Sequence, residues 1–173
     1  MSNVRRTNAA AGVLLLAAAT ACTGAPGPSQ AADADALVTT VERIVDGDTL
    51  YLEGLQERLR LIGIDAPETR LPDRGSACMG PQAAAYLAEL VPPRTTVRVQ
   101  WDVERTDRFD RPLGYLYRAG DGLFVNLELV SEGYATSLPV PPNVAHEQQL
   151  TAAARGARDA GRGLWSACEQ APG

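Results

Sequence analysis

The sequence contains no lysine, so all 16 of its basic residues are arginine. That absence excludes a lysine Schiff base and a phosphate-loop lysine. A single histidine, His146, excludes a histidine-rich metal centre. No apolar run reaches the roughly 20 residues that a permanent membrane-spanning helix needs, and no internal repeat is present. What remains is 173 residues, 45% hydrophobic and 21% charged, which rules out wholesale disorder. That length supports one domain with a real core rather than two. The net charge is −5. A polyanionic partner would therefore have to be met by local arginine clusters or a bound cation, against the field of the whole chain.

The N-terminus reads as a targeting segment. Arg5 and Arg6 precede a short apolar run from Ala9 to Ala19 centred on Leu14, Leu15 and Leu16. Ala19-Thr20-Ala21 fits a small-residue cleavage site, and Cys22 follows it. Residues 1–21 are expected to be a signal peptide. The ending resembles a bacterial lipoprotein signal, which implies a lipid on Cys22 and a chain anchored outside the cytoplasm; cleavage at the same bond with plain secretion is the alternative. The chain has three cysteines. If Cys22 carries lipid, Cys78 and Cys168 remain as a pair suited to an oxidising compartment, with two free thiols as the other reading. Residues 22–36 are small, polar and rich in Pro and Gly, as in a flexible tether. The folded domain is expected over 37–168, followed by a tail at 169–173.

Within that domain the early texture is β-rich. Asp46-Gly47 is a hairpin signal between strands at Val41–Val45 and Thr49–Leu52. Leu59 to Ile64 is apolar except at Arg60 and predicts one buried strand. Thr95–Asp102 alternates as a half-buried strand, and Leu113–Tyr117 is a fifth. Pro81 suits a first helical turn, with Ala84, Leu87, Ala88 and Val91 on one face before Pro92-Pro93. Further helices are expected at Asn126–Glu132 and His146–Ala160. This is an α+β chain whose five short strands suit a closed barrel.

Three clusters carry chemistry. In Val45–Leu52, Asp46 and Asp48 flank a glycine at the hairpin, which turn formation alone could explain. In Leu59–Thr69, Arg60 sits inside an apolar strand, where a charge is costly without an anion. Asp65 and Glu68 follow at the strand end around Pro67, offering oxygens to a hard cation such as Ca2+. A solvated surface turn is the plain alternative. In Arg105–Tyr117, Arg105, Arg108 and Arg111 alternate with Asp107 and Asp110. The cluster is either a self-neutralising loop or one that aims a guanidinium fork at phosphate.

In this order and spacing the clusters resemble the staphylococcal nuclease (thermonuclease) family. The resemblance runs from about Val41 to Trp165 and includes GPQAAAYLAELV, VNLELVSEGYA, HEQQL and the terminal GLWS. It implies a five-stranded OB-type barrel with three α-helices. It also implies a Ca2+-dependent nuclease that hydrolyses single- and double-stranded DNA and RNA with little sequence preference, leaving 3′-phosphate ends. By the same resemblance, Asp48, Asp65 and the main chain of Ala66 would hold Ca2+, with Asp46 behind them. Glu68 would orient or deprotonate water, and Arg60 and Arg111 would clamp phosphate. Arg108 and Phe109 would meet the substrate, Phe109 standing where the family has a tyrosine. Pro139 and Pro141 would stand where two tyrosines often flank a base. A monomer is expected. A non-catalytic OB-type surface lipoprotein that binds nucleic acid or protein is the alternative.

Overall fold

The computed structural model describes residues 35–71 and 75–168. The expected signal peptide, Cys22, most of the tether and the tail at 169–173 lie outside the described residues.

Seven strands and four helices make up this part of the chain. In order they are β1 (Leu37–Asp46), β2 (Thr49–Leu52), β3 (Leu59–Leu61), β4 (Gly63–Asp65), α1 (Gly80–Leu90), β5 (Thr96–Gln100), β6 (Leu113–Arg118), α2 (Val125–Ser131), β7 (Thr136–Leu138), α3 (Glu147–Asp159) and α4 (Leu164–Ala167). Strands β1, β2, β3, β6 and β5 close a barrel in that order. Every neighbouring pair is antiparallel except β3 and β6, which are parallel. Closure satisfies the strand edges that an open five-stranded sheet would leave bare. Alternating apolar positions fill the interior, with Leu50, Leu52, Leu59, Leu61, Val97 and Val99 fully buried.

The segment expected as one strand from Leu59 to Ile64 is two. Gly63 has φ +76°, a left-handed conformation that few side chains tolerate, and its bare Cα lies where a β-carbon would meet Leu150. The chain therefore leaves the barrel after Leu61, and β4 pairs instead with β7. That swing carries Asp65 and the residues after it out beside the hairpin of β1 and β2.

The hairpin has the register Asp46↔Thr49. Its glycine is required by packing. A β-carbon on Gly47 would stand 2.6 Å from that of Ala83 and 2.8 Å from that of Ala66. Helix α1 thus presses directly on the turn that carries Asp48. Of the expected face, Leu87 and Val91 are buried while Ala84 and Ala88 lie at the margin, and Ala83 and Leu90 are buried beside them. Among the described residues, α4 is a fourth, four-residue helix beyond the three expected.

Candidate active site

Asp48 is a buried carboxylate, 2% exposed, at the hairpin tip. Burial holds its carboxyl above the ordinary range, against the pull of Arg60 and its hydrogen bonds. Its Oδ2 accepts the Ala66 backbone N–H at 2.8 Å, and its Oδ1 accepts the Thr49 hydroxyl at 2.9 Å. Arg60, from β3, pairs with Asp48 through one terminal nitrogen. Its other terminal nitrogen meets Asp65 Oδ1 at 2.8 Å and the Ile64 carbonyl at 3.3 Å. The costly charge in an apolar strand is therefore answered by two carboxylates that converge on one guanidinium. Asp46 lies behind them, its Oδ1 accepting the Thr69 hydroxyl and the Thr69 N–H.

Glu68 is exposed at the lip of this group. Partial burial, then the negative charges of Asp46 and Asp48, hold its carboxyl above the ordinary range; Asp65 adds to this and Arg60 opposes it. A carboxylate raised in this way is a better proton acceptor near neutral pH than an ordinary glutamate.

Arg60 also lines a cleft of about 500 Å3 shared with Arg108, Phe109 and Arg111. Arg111 sits at the start of β6 on a loop ordered by Asp107. That carboxylate accepts the backbone N–H groups of Phe109 at 2.9 Å and Arg111 at 3.0 Å, besides pairing with the Arg111 side chain. Asp110 closes the turn with φ +61°, a conformation that Asp tolerates better than most residues. Phe109 is 61% exposed, with the guanidinium of Arg108 4.7 Å from its ring centre. In the sequence Asp107 is simply one acid of a charged loop; its role depends on contacts that charge spacing does not reveal.

The far wall agrees with expectation at Pro141 and differs from it at Pro139. Leu138, Val140 and Pro141 line the cleft. Pro139 instead faces a hollow with Ser137, Thr151 and Trp165. The two side chains that face the cleft on either side of Pro139 are thus Leu138 and Val140, because alternation at the end of β7 turns Pro139 away. Asn143, a further residue that the sequence did not single out, is buried and ties this wall to the opposite loop. Its side chain accepts from the Glu104 N–H at 2.8 Å and donates to the Glu104 carbonyl at 2.9 Å.

Cys78 and Cys168 form a disulfide across a separation of 90 residues, with their Cα atoms 5.8 Å apart. No group of three or more His, Cys, Asp or Glu side chains that could hold a metal occurs among the described residues. Any metal here would rest on two carboxylates with main-chain, water or substrate oxygens.

A sequence profile of staphylococcal nuclease homologues matches residues 58–167. The thermonuclease of Staphylococcus intermedius is 33% identical over 127 residues, covering 72% of this chain and 74% of the relative. That of Staphylococcus hyicus is 31% identical over 128 residues, 73% of this chain and 74% of the relative. Endonuclease YhcR of Bacillus subtilis is 34% identical over 136 residues, 73% of this chain but only 11% of the larger relative. The barrel and these relatives define a nuclease, a hydrolase acting on nucleic acids. The chain belongs to the staphylococcal nuclease family.

Proposed function

We propose that the protein is an exported, Ca2+-dependent nuclease that cleaves DNA and RNA with little sequence preference and leaves 3′-phosphate ends. The observation that carries the proposal is the double placement of Arg60. Its guanidinium joins the carboxylates of Asp48 and Asp65, and its side chain lines the same cleft as Arg111. Two carboxylates close enough to share one cation fit a hard divalent ion, and Ala66 would add a main-chain oxygen. Water and substrate oxygens would complete the six to eight that Ca2+ takes. Bound there, Ca2+ supplies positive charge where the phosphate gathers negative charge in the transition state. Arg60 and Arg111 hold the phosphate by paired N–H donors. Glu68 orients a water molecule and takes its proton. Arg108 and Phe109 guide the strand, and contacts to phosphate read no base sequence.

Export with a lipid on Cys22, and a monomeric state, belong to the same proposal. The charged and apolar pattern of residues 1–21 supports export, as does a disulfide of the kind that persists in oxidising compartments.

The test is hydrolysis of single-stranded DNA, duplex DNA and RNA by the full chain with Ca2+ or with chelator. All three should be degraded with Ca2+ and none with chelator, and Asp48→Asn should raise the Ca2+ concentration required. Equal rates in chelator would remove the cation from the account. Binding without cleavage would favour a non-catalytic OB-type module.

A further inference from the structure

Glu68 is held through its main chain by residues outside the expected catalytic set. The Ala77 N–H donates to the Glu68 carbonyl at 3.0 Å. Three residues further on, Gly80 packs on the same peptide. A β-carbon there would lie 2.7 Å from the Glu68 carbonyl carbon and 3.2 Å from the Thr69 nitrogen, so only glycine admits this approach. On the other side, Asp46 accepts the Thr69 N–H at 3.2 Å. The Glu68–Thr69 peptide is thus clasped between the β1–β2 hairpin and residues 77–80.

Between Ala77 and Gly80 stands Cys78, whose disulfide partner Cys168 follows α4 directly. That helix is fixed in turn by the Leu164 N–H, which donates to the Gly133 carbonyl at 2.9 Å beyond the end of α2. The bridge therefore fastens the segment that seats Glu68 to a remote and well-tied part of the fold. Cys78 is exposed and Cys168 half-buried, so a small dithiol can reach the bond.

We propose that the Cys78–Cys168 disulfide and Gly80 are positioning elements for Glu68, and that turnover therefore depends on the thiol redox state. The inference rests on the catalytic role proposed above for Glu68. Reduction by a dithiol breaks the S–S bond and delivers two electrons and two protons. It gives two cysteine thiols while the dithiol becomes its own disulfide. Residues 77–80 then lose their remote anchor, and the carboxylate of Glu68 samples a wider range about the attacking water. Misplacement on the scale of 1 Å costs about 10²-fold in rate. Arg60 and Arg111 lie on β3 and at β6, elements that the bridge does not fasten, so substrate binding is preserved. In a thiol-reducing cytosol such a chain would be a poor nuclease, and it would gain full turnover only after oxidation outside.

The experiment measures kcat and KM on single-stranded DNA for the oxidised and the dithiol-reduced protein, in the wild type and in Glu68→Gln. It is run at a temperature where circular dichroism shows both forms folded. Wild-type kcat should fall at least tenfold on reduction with KM changed less than threefold, and reoxidation should restore it. Gly80→Ala, with the bridge intact, should lower kcat in the same way. Reduction should leave the residual rate of Glu68→Gln unchanged, because the group being positioned is already gone. An unchanged wild-type kcat on reduction overturns the proposal. An equal fractional loss in both backgrounds also overturns it, since the bridge would then be a staple for the whole fold. If the oxidised wild type has no activity, the functional reading fails and the proposal falls with it.

Discussion

Asp107 grips Arg111 with two of its guanidinium nitrogens on one carboxylate oxygen: Nε and Nη2 each lie 2.7 Å from Oδ2. The other oxygen caps the loop that carries Phe109. An arginine side chain has several rotatable bonds, and this pairing removes much of their freedom before substrate arrives. Asp107→Asn keeps an acceptor for the loop N–H groups but loses the charged pairing. Its kcat should fall about tenfold, with a smaller change in KM, as expected for a group acting through transition-state charge. Partial burial raises the Asp107 carboxyl, but the bonds from Arg111 and Phe109 outweigh it and leave it below its ordinary value of 3.8. The pairing therefore contributes stability fully above that value and is lost as pH falls through the lower native one. Steady-state kinetics on the asparagine variant check the role in turnover.

Gly47→Ala should destabilise the protein by about 1–3 kcal/mol, the usual cost of overpacking a close contact. The added carbon meets two other β-carbons, neither of which can rotate away. Relief requires α1 or the hairpin to move, and Asp48 moves with the hairpin. Urea denaturation measures the stability loss, and calcium titration of the same variant should show weakened binding.

The cleft wall offers aliphatic groups at Leu138 and Val140, which have no π-face to stack on a base. Leu138→Tyr with Val140→Tyr should tighten mononucleotide binding, since stacking contributes on the order of 1–3 kcal/mol per base. Turnover should rise little, because stacking acts equally on ground and transition states. Pro139→Tyr should do nothing for affinity, since Pro139 faces the other hollow. Calorimetric titration of the variants with a nucleoside bisphosphate checks both expectations.

His146 packs edge-on against Tyr115, with ring centres 4.5 Å apart, and its Nε2 lies 3.2 Å from the Tyr117 hydroxyl. Burial lowers its pKa below the ordinary 6.5, while a hydrogen bond with Gln149 and the charge of Asp102 act the other way. The unfolded chain therefore takes up a proton before the folded one does. Stability from this group is complete above pH 6.5 and is lost as pH falls through the lower native value. Thermal melts across pH 5 to 7 should show that loss, and His146→Gln should flatten this part of the profile.

Much of this was legible in the sequence because it is local. Asp46-Gly47 marked the hairpin, and alternation marked the barrel strands. Arg60, an unanswered charge in an apolar strand, pointed to an anionic neighbour before either carboxylate was placed beside it. What escaped reading depends on distant partners. Thr136–Leu138 is a strand only because Gly63 turns the chain out of the barrel to pair with it. The burial of Ala83 on α1 goes with its contact to Gly47, which lies 36 residues before it. Asp107 looked like a neutralising charge because spacing alone does not say which arginine it holds.

The measurement that bears most directly on the account is the turnover of Arg60→Ala on single-stranded DNA at saturating Ca2+, with folding confirmed by its melting curve. Among the described residues, Arg60 is the side chain that both pairs with Asp48 and Asp65 and lines the cleft. The kcat should fall about 10²-fold or more, the scale of losing one preorganised stabilising group, with a smaller change in KM. Turnover close to that of the wild type in a folded variant would contradict the account.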